Sequence, residues 1–110
     1  MEKAVIYVAG CPDAYPVEFY NAETGAYEGV IPQLLRRFSQ QSDYEVRYYA
    51  PGRRDQRQHL ARNRQVDMVT CLDGETFPNR RGEAVAAPAA YRLCLLDVAP
   101  KGLEQALQSF

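Results

Sequence analysis

The chain has 110 residues, of which 46% are hydrophobic and 25% are charged, and its formal net charge is −1. These values are ordinary for one soluble globular domain. They exclude a whole-molecule field that would draw the chain to nucleic acid or to an anionic membrane. No apolar run approaches the length needed to cross a bilayer.

The first half of the chain predicts a strand, a hairpin, a helix and a second strand. The apolar run at residues 5–9 is closed by Gly10 and Pro12, and indicates a strand buried on both faces. Residues 10–29 predict loop or a short hairpin with a turn at 21–25. Apolar residues at helical spacing then predict a helix that ends at Ser42 and Asp43, namely Val30, Ile31, Leu34, Leu35 and Phe38. Alternation over residues 44–50 predicts the second strand.

The second half continues the alternation of helix and strand. Residues 53–64 predict a basic helix with a weak apolar stripe, and residues 66–72 a third strand. A loop follows, and residues 92–98 and 103–110 predict a fourth strand and a short helix. This order is typical of a parallel α/β sheet with right-handed crossovers. We expect the strands near 4–9, 44–50 and 66–72 to be neighbours, with the first one central.

The three cysteines, Cys11, Cys71 and Cys94, do not have metal-ligand spacing, and their number is odd. One interpretation is that all three are small buried hydrophobic residues. The other is a disulfide between Cys11 and Cys71, since both follow strands that the predicted order makes adjacent. That bridge requires the two Cα atoms to lie within about 7 Å of each other.

Several local patterns then resemble, in order, the first lobe of the family 3 solute-binding proteins. Tyr-Pro-Val-Glu-Phe at residues 15–19 resembles the family's Tyr-Pro-Pro-Phe loop after the first strand. Gly-Ala-Tyr-Glu-Gly-Val at 25–30 resembles the glycine-rich stretch before its first helix. Val-Asp-Met-Val at 66–69 resembles the opening of its third strand. The resemblance spans nearly the whole chain.

The ligand motif of that family is only partly present. Thr76 and Arg80 fall close to its Thr-x-x-Arg motif, but Asn79 holds the place of the arginine and Arg80 is one residue further on. Pro88 and Tyr91 are similar to its later Pro-Tyr pair. The family's Ser-Gly-x-Ser run is replaced by Cys-Leu-Asp-Gly at 71–74, which places carboxylate binding in the usual pose in question.

The resemblance implies an α/β fold, a parallel-sheet sandwich lobe of the periplasmic-binding-protein-like type II class. It also implies a non-enzymatic domain that binds a small polar, amino-acid-like ligand. Such domains belong to transport proteins or to the extracellular sensors of signal-transduction proteins. The expected location is the extracellular or periplasmic face of a bacterial membrane, with a membrane-anchored parent protein.

Ligands of open parallel sheets bind beyond the carboxyl ends of the strands, where we place residues 10–19, 50–54 and 71–80. Rings can stack on a ligand and a guanidinium can grip a carboxylate, and acidic side chains can meet a ligand amine. The predicted ligand-binding residues are Tyr15, Phe19, Asp73, Thr76 and Arg80. Arg81 is an alternative to Arg80. Asp73 and Glu75 have a second interpretation, in which they neutralise these arginines.

Other chemistries are not indicated. His59 is the only histidine, and no nucleophile–base pair or phosphate-binding glycine loop is evident, so we predict no enzyme activity, cofactor or metal. The arginines of the second helix favour a solvated helix face over a nucleic-acid surface, because acidic residues offset them elsewhere.

Length raises a last question, because the family fold has two lobes. We predict that residues 1–110 form a single lobe: about 1–92 as lobe one, and 93–110 as a crossover strand and the start of a truncated second lobe. Either a longer protein or a natural single lobe would fit.

One lobe alone is expected to bind ligands weakly or not at all. We also expect a surface around 93–98 and the terminal helix to be exposed and covered by a second lobe or a second copy, which makes a dimerisation module without a ligand the alternative function.

Overall fold

A computed structural model of the chain describes residues 2–49, 51, 53, 55–72, 74–86 and 92–110. Eleven elements follow one another in these residues: β1 (Ala4–Ala9), β2 (Asp13–Ala14), β3 (Glu18–Asn21), β4 (Ala26–Glu28), α1 (Val30–Gln41), β5 (Tyr44–Tyr48), α2 (Gln56–Arg62), β6 (Met68–Cys71), β7 (Arg80–Ala86), β8 (Arg92–Leu96) and α3 (Leu103–Gln108).

The main sheet has five strands in the order β5-β1-β6-β8-β7. Strand β1 lies between β5 and β6 and is parallel to both, with Ile6 opposite Val46 and Val8 opposite Met68. The predicted α/β fold, and the predicted neighbours with the first strand between the other two, are therefore confirmed.

The sheet is mixed rather than wholly parallel. Strand β8 is antiparallel to both β6 and β7. The sequence prediction also missed β7, because its charged opening, Arg80-Arg81-Gly82-Glu83, was interpreted as loop. The chain between β7 and β8 is much shorter than the dozen or so residues that a parallel crossover needs, so these two strands pair antiparallel.

Helices cover both faces of the main sheet. Helix α1 begins and ends where the apolar spacing predicted, and its stripe of Ile31, Leu35 and Phe38 is buried. It shares one core with α3, while α2 covers the other face. Because α2 has only seven residues, that second face is incompletely covered. Val5 and Tyr7 are therefore 37% and 39% exposed, and the prediction that β1 is buried on both faces is wrong for its first half.

The last strand and helix are part of the same lobe. Leu93 and Leu95 pack in one core with Leu103 and Leu107 of α3, and Leu96 packs in the other. The expectation that the surface around residues 93–98 is exposed is wrong for residues 93–96, because α3 folds back and covers one face of β8 while α2 and Phe77 cover the other. Asp97 and Val98 are exposed, as expected. The assignment of residues 93–110 to a crossover toward a second lobe stays a prediction.

A second, three-stranded antiparallel sheet, β2-β3-β4, forms the hairpin between β1 and α1. Its turn contains Gly25 in a left-handed conformation, as the turn signal at 21–25 predicted. Gly29 then leads into α1 with φ of 120°, and a Cβ atom there would lie 2.6 Å from the carbonyl oxygen of Val17. Only glycine allows the hairpin and the helix to approach this closely.

All three cysteines are free and buried. Cys11 lies in the core beneath α1, whereas Cys71 and Cys94 lie in the core beneath α2. The proposed Cys11–Cys71 disulfide is therefore wrong, because the two residues belong to opposite faces of the sheet. The interpretation as small buried hydrophobic residues is confirmed. Within the described ranges, no helix has the length and apolar character needed to span a membrane.

Cys71 and Cys94 contact each other but are diagonal neighbours, since Cys94 is opposite Val69 and Cys71 opposite Arg92. Diagonal positions are separated by about 7–8 Å, which exceeds the span of an unstrained disulfide. We therefore expect three reactive thiols when protein stored under air is unfolded and titrated with a thiol reagent. A single reactive thiol would show that two of the cysteines form a bridge.

Candidate ligand-binding site

A fully buried carboxylate lies where the hairpin meets the main sheet. Glu18 on β3 has no exposed surface. Its Oε1 accepts hydrogen bonds from the backbone N–H of Cys11 at 2.7 Å and from the hydroxyl of Thr70 at 2.6 Å, and its Oε2 accepts one from Tyr48 at 2.5 Å. These donors follow β1 or belong to β5 and β6, so one side chain contacts three strands of the sheet near their carboxyl ends.

Burial raises the pKa of Glu18 above its ordinary value, although the hydrogen bonds from Thr70, Tyr48 and Cys11 lower it. Two aromatic rings cover the carboxylate of Glu18. Tyr27 stacks on Tyr48 with ring centroids 4.4 Å apart, and burial together with the nearby Glu18 raises the pKa of Tyr27. The rings exclude water, which strengthens the hydrogen bonds to the carboxylate.

A buried arginine forms the second part of this polar cluster. Arg57 on α2 donates to the carbonyl oxygen of Thr70 and, at 2.5 Å, to the carboxylate of Glu75. Its guanidinium also lies over the ring of Phe77, 5.3 Å from the centroid. The predicted solvated face of the second helix is therefore wrong for this residue. Glu75 neutralises Arg57, and not Arg80 or Arg81 as expected.

An open groove lies on the outer side of the hairpin. Tyr15 and Phe19 form a tilted pair with ring centroids 4.9 Å apart, and Tyr15 is 78% exposed. They line a groove of about 480 Å³ together with residues of β4 and α1, which are Pro16, Ala26, Glu28, Gly29, Gln33 and Arg36. Two flat rings on an open groove offer apolar area to a ligand at low entropic cost.

The other predicted site residues lie elsewhere. Thr76 is exposed, and its carbonyl oxygen accepts a hydrogen bond from the side chain of Gln58. Arg81 donates to the carbonyl oxygens of Ala99 and Pro100 and so holds the connection to α3. Asp73 lies outside the described residues, as do Pro88 and Tyr91.

Arg80 lies at the opposite end of the sheet from the position expected for it. It pairs with Leu96, the last residue of β8, whereas Cys71 at the carboxyl end of β6 pairs with Arg92, the first residue of β8. Arg80 also forms an ion pair with Glu83. The structure thus brings Tyr15 and Phe19 together but does not bring Arg80 to them.

Sequence reasoning missed Glu18, Tyr48 and Arg57. One signal was present: Glu18 is the fourth residue of Tyr-Pro-Val-Glu, where the resembling motif has phenylalanine. An acid in place of an aromatic residue, within a stretch expected to pack, indicates a buried and hydrogen-bonded carboxylate. No comparable local signal distinguished Arg57 from the exposed arginines around it.

The polar cluster around Glu18 and the groove beside Tyr15 differ in accessibility. The carboxylate of Glu18 is enclosed and already accepts three hydrogen bonds, so it is not presented to a substrate. In the part of the chain that the structure describes, no group of three His, Cys, Asp or Glu side chains is placed to hold a metal ion. In contrast to Glu18, the aromatic pair and the charged residues around its groove are accessible.

A mixed five-stranded sheet between two layers of helices, with a hairpin and a groove after the first strand, defines a lobe of the periplasmic-binding-protein type. Comparison with solved structures confirms at the level of fold the resemblance seen in the sequence. No protein-family model matches the sequence, and no curated protein matches it.

Domain 1 from TmArgBP of T. maritima, in its arginine-bound form, matches with a TM-score of 0.68 at 13% identity, covering 96% of this chain and 90% of that one. A Bacillus subtilis protein matches with a TM-score of 0.54 at 16% identity, covering 74% and 34%. The L-cystine solute receptor of Neisseria gonorrhoeae matches with a TM-score of 0.50 at 15% identity, covering 61% and 27%. The match thus extends over most of an isolated domain 1, but over about a third or less of the other two chains.

The buried carboxylate predicts a pH dependence of stability. The pKa of Glu18 is higher in the folded protein than in the unfolded chain. Its contribution to the free energy of unfolding is therefore fully present below the unfolded pKa near 4.5, and it is lost as pH rises through the folded pKa. We expect Glu18→Gln, whose side chain does not titrate, to remove this fall in the free energy of unfolding with rising pH. Urea unfolding of both proteins over a pH series measures it, with the exposed Glu23→Gln as control. If the free energies of unfolding of wild type and Glu18→Gln differ by the same amount at every pH, the expectation is contradicted.

The buried ion pair predicts a large effect on stability. Arg57→Met leaves the carboxylate of Glu75 and the carbonyl of Thr70 without their cation, and we expect a loss of about 3–5 kcal/mol in the free energy of unfolding. The control is Arg53→Met, because the Arg53 side chain is 88% exposed and should change stability by less than about 0.5 kcal/mol. Equal losses in the two variants, measured by chemical denaturation, would refute the structural role of Arg57.

Proposed function

We propose that this chain is a solute-binding lobe that takes a small polar, amino-acid-like ligand in the groove beside Tyr15 and Phe19. The observation that carries the proposal is this aromatic pair. Tyr15 remains 78% exposed although it contacts another ring, and such a pair on an open groove is a ready contact surface for a ligand.

The structural neighbours support the same class of function. Domain 1 from TmArgBP was solved in an arginine-bound form. We therefore propose that a single lobe of this fold holds a ligand, in place of the expectation from the sequence that one lobe alone binds weakly or not at all. On this basis we propose that the chain serves as the binding or sensing part of a bacterial transport or signal-transduction protein, at the extracellular or periplasmic face of a membrane. The ligand-binding roles predicted for Asp73, Thr76 and Arg80 stay predictions.

One observation favours the alternative, a self-associating module. Val5 and Tyr7 lie on the face of the sheet that α2 leaves open, beside an ion pair between Glu45 and Arg47 on β5. A second copy related by a two-fold axis could cover this face. This surface differs from the predicted one around residues 93–98, of which residues 93–96 are buried.

Binding experiments separate the two functions. We expect at least one member of a panel of the standard L-amino acids and L-cystine to bind the purified chain in calorimetry. Tyr15→Ala should weaken that binding by about tenfold or more, because it removes ring area from the groove. Tyr7→Ala, an exposed aromatic residue on a different face, is the matched control and should leave affinity unchanged.

A different pair of results would favour self-association over ligand binding. If no amino acid in the panel binds, while light scattering shows a dimer that Tyr7→Glu converts to a monomer, then the chain is a self-association module. Ligand binding by a strict monomer would exclude that alternative.

A further inference from the structure

Side chains of a few residues attach the hairpin to the main sheet. Among the described residues, β2-β3-β4 and the five-stranded sheet are separate, so the two are not joined by a backbone ladder. Polar contacts between them come from Glu18 and from Tyr27, whose ring stacks on Tyr48 and whose hydroxyl donates to the carbonyl oxygen of Gly10 at 3.4 Å. Val17 adds a contact with the core beneath α1. The docked position of the hairpin therefore depends on a small set of side chains.

Ionised Glu18 shares one buried cation with another carboxylate. Arg57 is the positive charge that acts on Glu18, and it also forms an ion pair with Glu75 at 2.5 Å. Asp13 lies beside the same cluster, because its carboxylate accepts a hydrogen bond from the thiol of Cys11 at 3.1 Å. Loss of the proton of Glu18 thus adds negative charge to a buried region whose guanidinium already serves Glu75, and such a charge is costly.

A neutral Glu18 can keep the same contacts. A protonated carboxyl group has one O–H donor and retains acceptor capacity. Its Oε1 would still accept from the N–H of Cys11 and the hydroxyl of Thr70, while Oε2 would donate its proton to the oxygen of Tyr48, 2.5 Å away. Burial raises the pKa of Tyr27, the ring stacked on Tyr48, so Tyr27 stays neutral while Glu18 changes charge. The buried position therefore suits the neutral acid.

We propose that Glu18 is a proton-controlled latch, which holds the hairpin on the main sheet when it is protonated and releases the hairpin when it is ionised, while the main sheet stays folded. Glu18 is then a positioning residue for the groove beside Tyr15 and Phe19, because the hairpin forms one wall of that groove and α1 forms the other. Release of the hairpin needs no ligand, so it is separate from the proposed function.

Release has a defined pH window. Because burial raises the pKa of Glu18 in the docked hairpin, docking is most stable below the ordinary pKa near 4.5, and this contribution is lost as pH rises through the folded pKa. Between these two pKa values, release is accompanied by the loss of one proton. The equilibrium constant for release should therefore increase by about tenfold per pH unit in this window.

Backbone hydrogen exchange, followed residue by residue by NMR over a pH series, tests the latch. Strands as short as β3 and β4 are not stable alone in water, so their amides exchange once the hairpin is released. After correction for the intrinsic exchange rate, we expect these amides to be about a hundredfold less protected than those of β1 and β6, because local release costs less free energy than global unfolding. Their protection should also fall by about tenfold per pH unit within the window.

Three variants identify the group responsible. Glu18→Gln should abolish the pH dependence of hairpin protection, whereas Glu23→Gln, which changes an exposed residue in the turn of the same hairpin, should leave it unchanged. Tyr48→Phe keeps the ring that stacks on Tyr27 and removes the hydroxyl. Since the hydrogen bond from Tyr48 lowers the pKa of Glu18, its loss should extend the fall in protection to higher pH.

Low concentrations of urea separate release from unfolding. Release exposes little surface, so urea should hardly change the protection of the hairpin but should lower that of the main sheet. Equal protection and an equal urea response in both sheets would show that the hairpin opens only when the lobe unfolds, and would overturn the inference. A labile hairpin whose pH dependence persists in Glu18→Gln would overturn it as well. Neither result decides whether wild type binds an amino acid, which the calorimetric panel tests.

Discussion

One buried carboxylate joins the two sheets of this protein. Glu18 belongs to the hairpin, but its hydrogen-bond donors follow β1 or belong to β5 and β6 of the main sheet. A carboxylate without exposed surface is costly unless its oxygens are hydrogen-bonded, so the hairpin is held where all three donors converge. Gly10 contributes to the same constraint, because a Cβ atom there would lie 2.5 Å from the ring of Tyr48.

The position of the groove follows from this constraint. Glu18 and Phe19 are consecutive residues of a strand, so their side chains point to opposite faces of the small sheet. Burying Glu18 against the main sheet directs Phe19 outward, where it meets Tyr15. The inner face of the hairpin thus joins it to the main sheet, and its outer face carries the aromatic pair of Tyr15 and Phe19.

Several charged residues form ion pairs within the lobe. Arg57 is buried against Glu75 and Phe77 and links α2 to the loop after β6. Glu83 lies between Arg80 and Arg92 on the last two strands of the sheet. These pairs fix backbone segments in place. Arg36 is outside such pairs among the described residues and lines the groove.

The sequence by itself determined the elements whose signals are local. The apolar spacing of Ile31, Leu35 and Phe38 predicted α1, and the alternation of helices with strands placed β1 between β5 and β6, because right-handed crossovers leave few other arrangements. The ligand-binding roles of Tyr15 and Phe19 stay predictions, although the two rings do contact each other. The turn before Gly25 was predicted by its composition.

The tertiary structure alone decided which charges are buried and which end of the sheet each loop reaches. Arg57 and Arg53 look alike in the sequence, but only the fold brings Glu75 and Thr70 to one of them. Arg80 was misplaced because the segment before it runs along α2 to the far end of the sheet, with the Asn79 side chain bonded to the carbonyl of Ala61. Cys11 follows β1 and Cys71 ends the adjacent strand β6, yet they lie on opposite faces of the sheet. Packing between segments that are distant in the sequence determines the face of the sheet on which a residue at a strand end lies. A local sequence pattern does not contain that information.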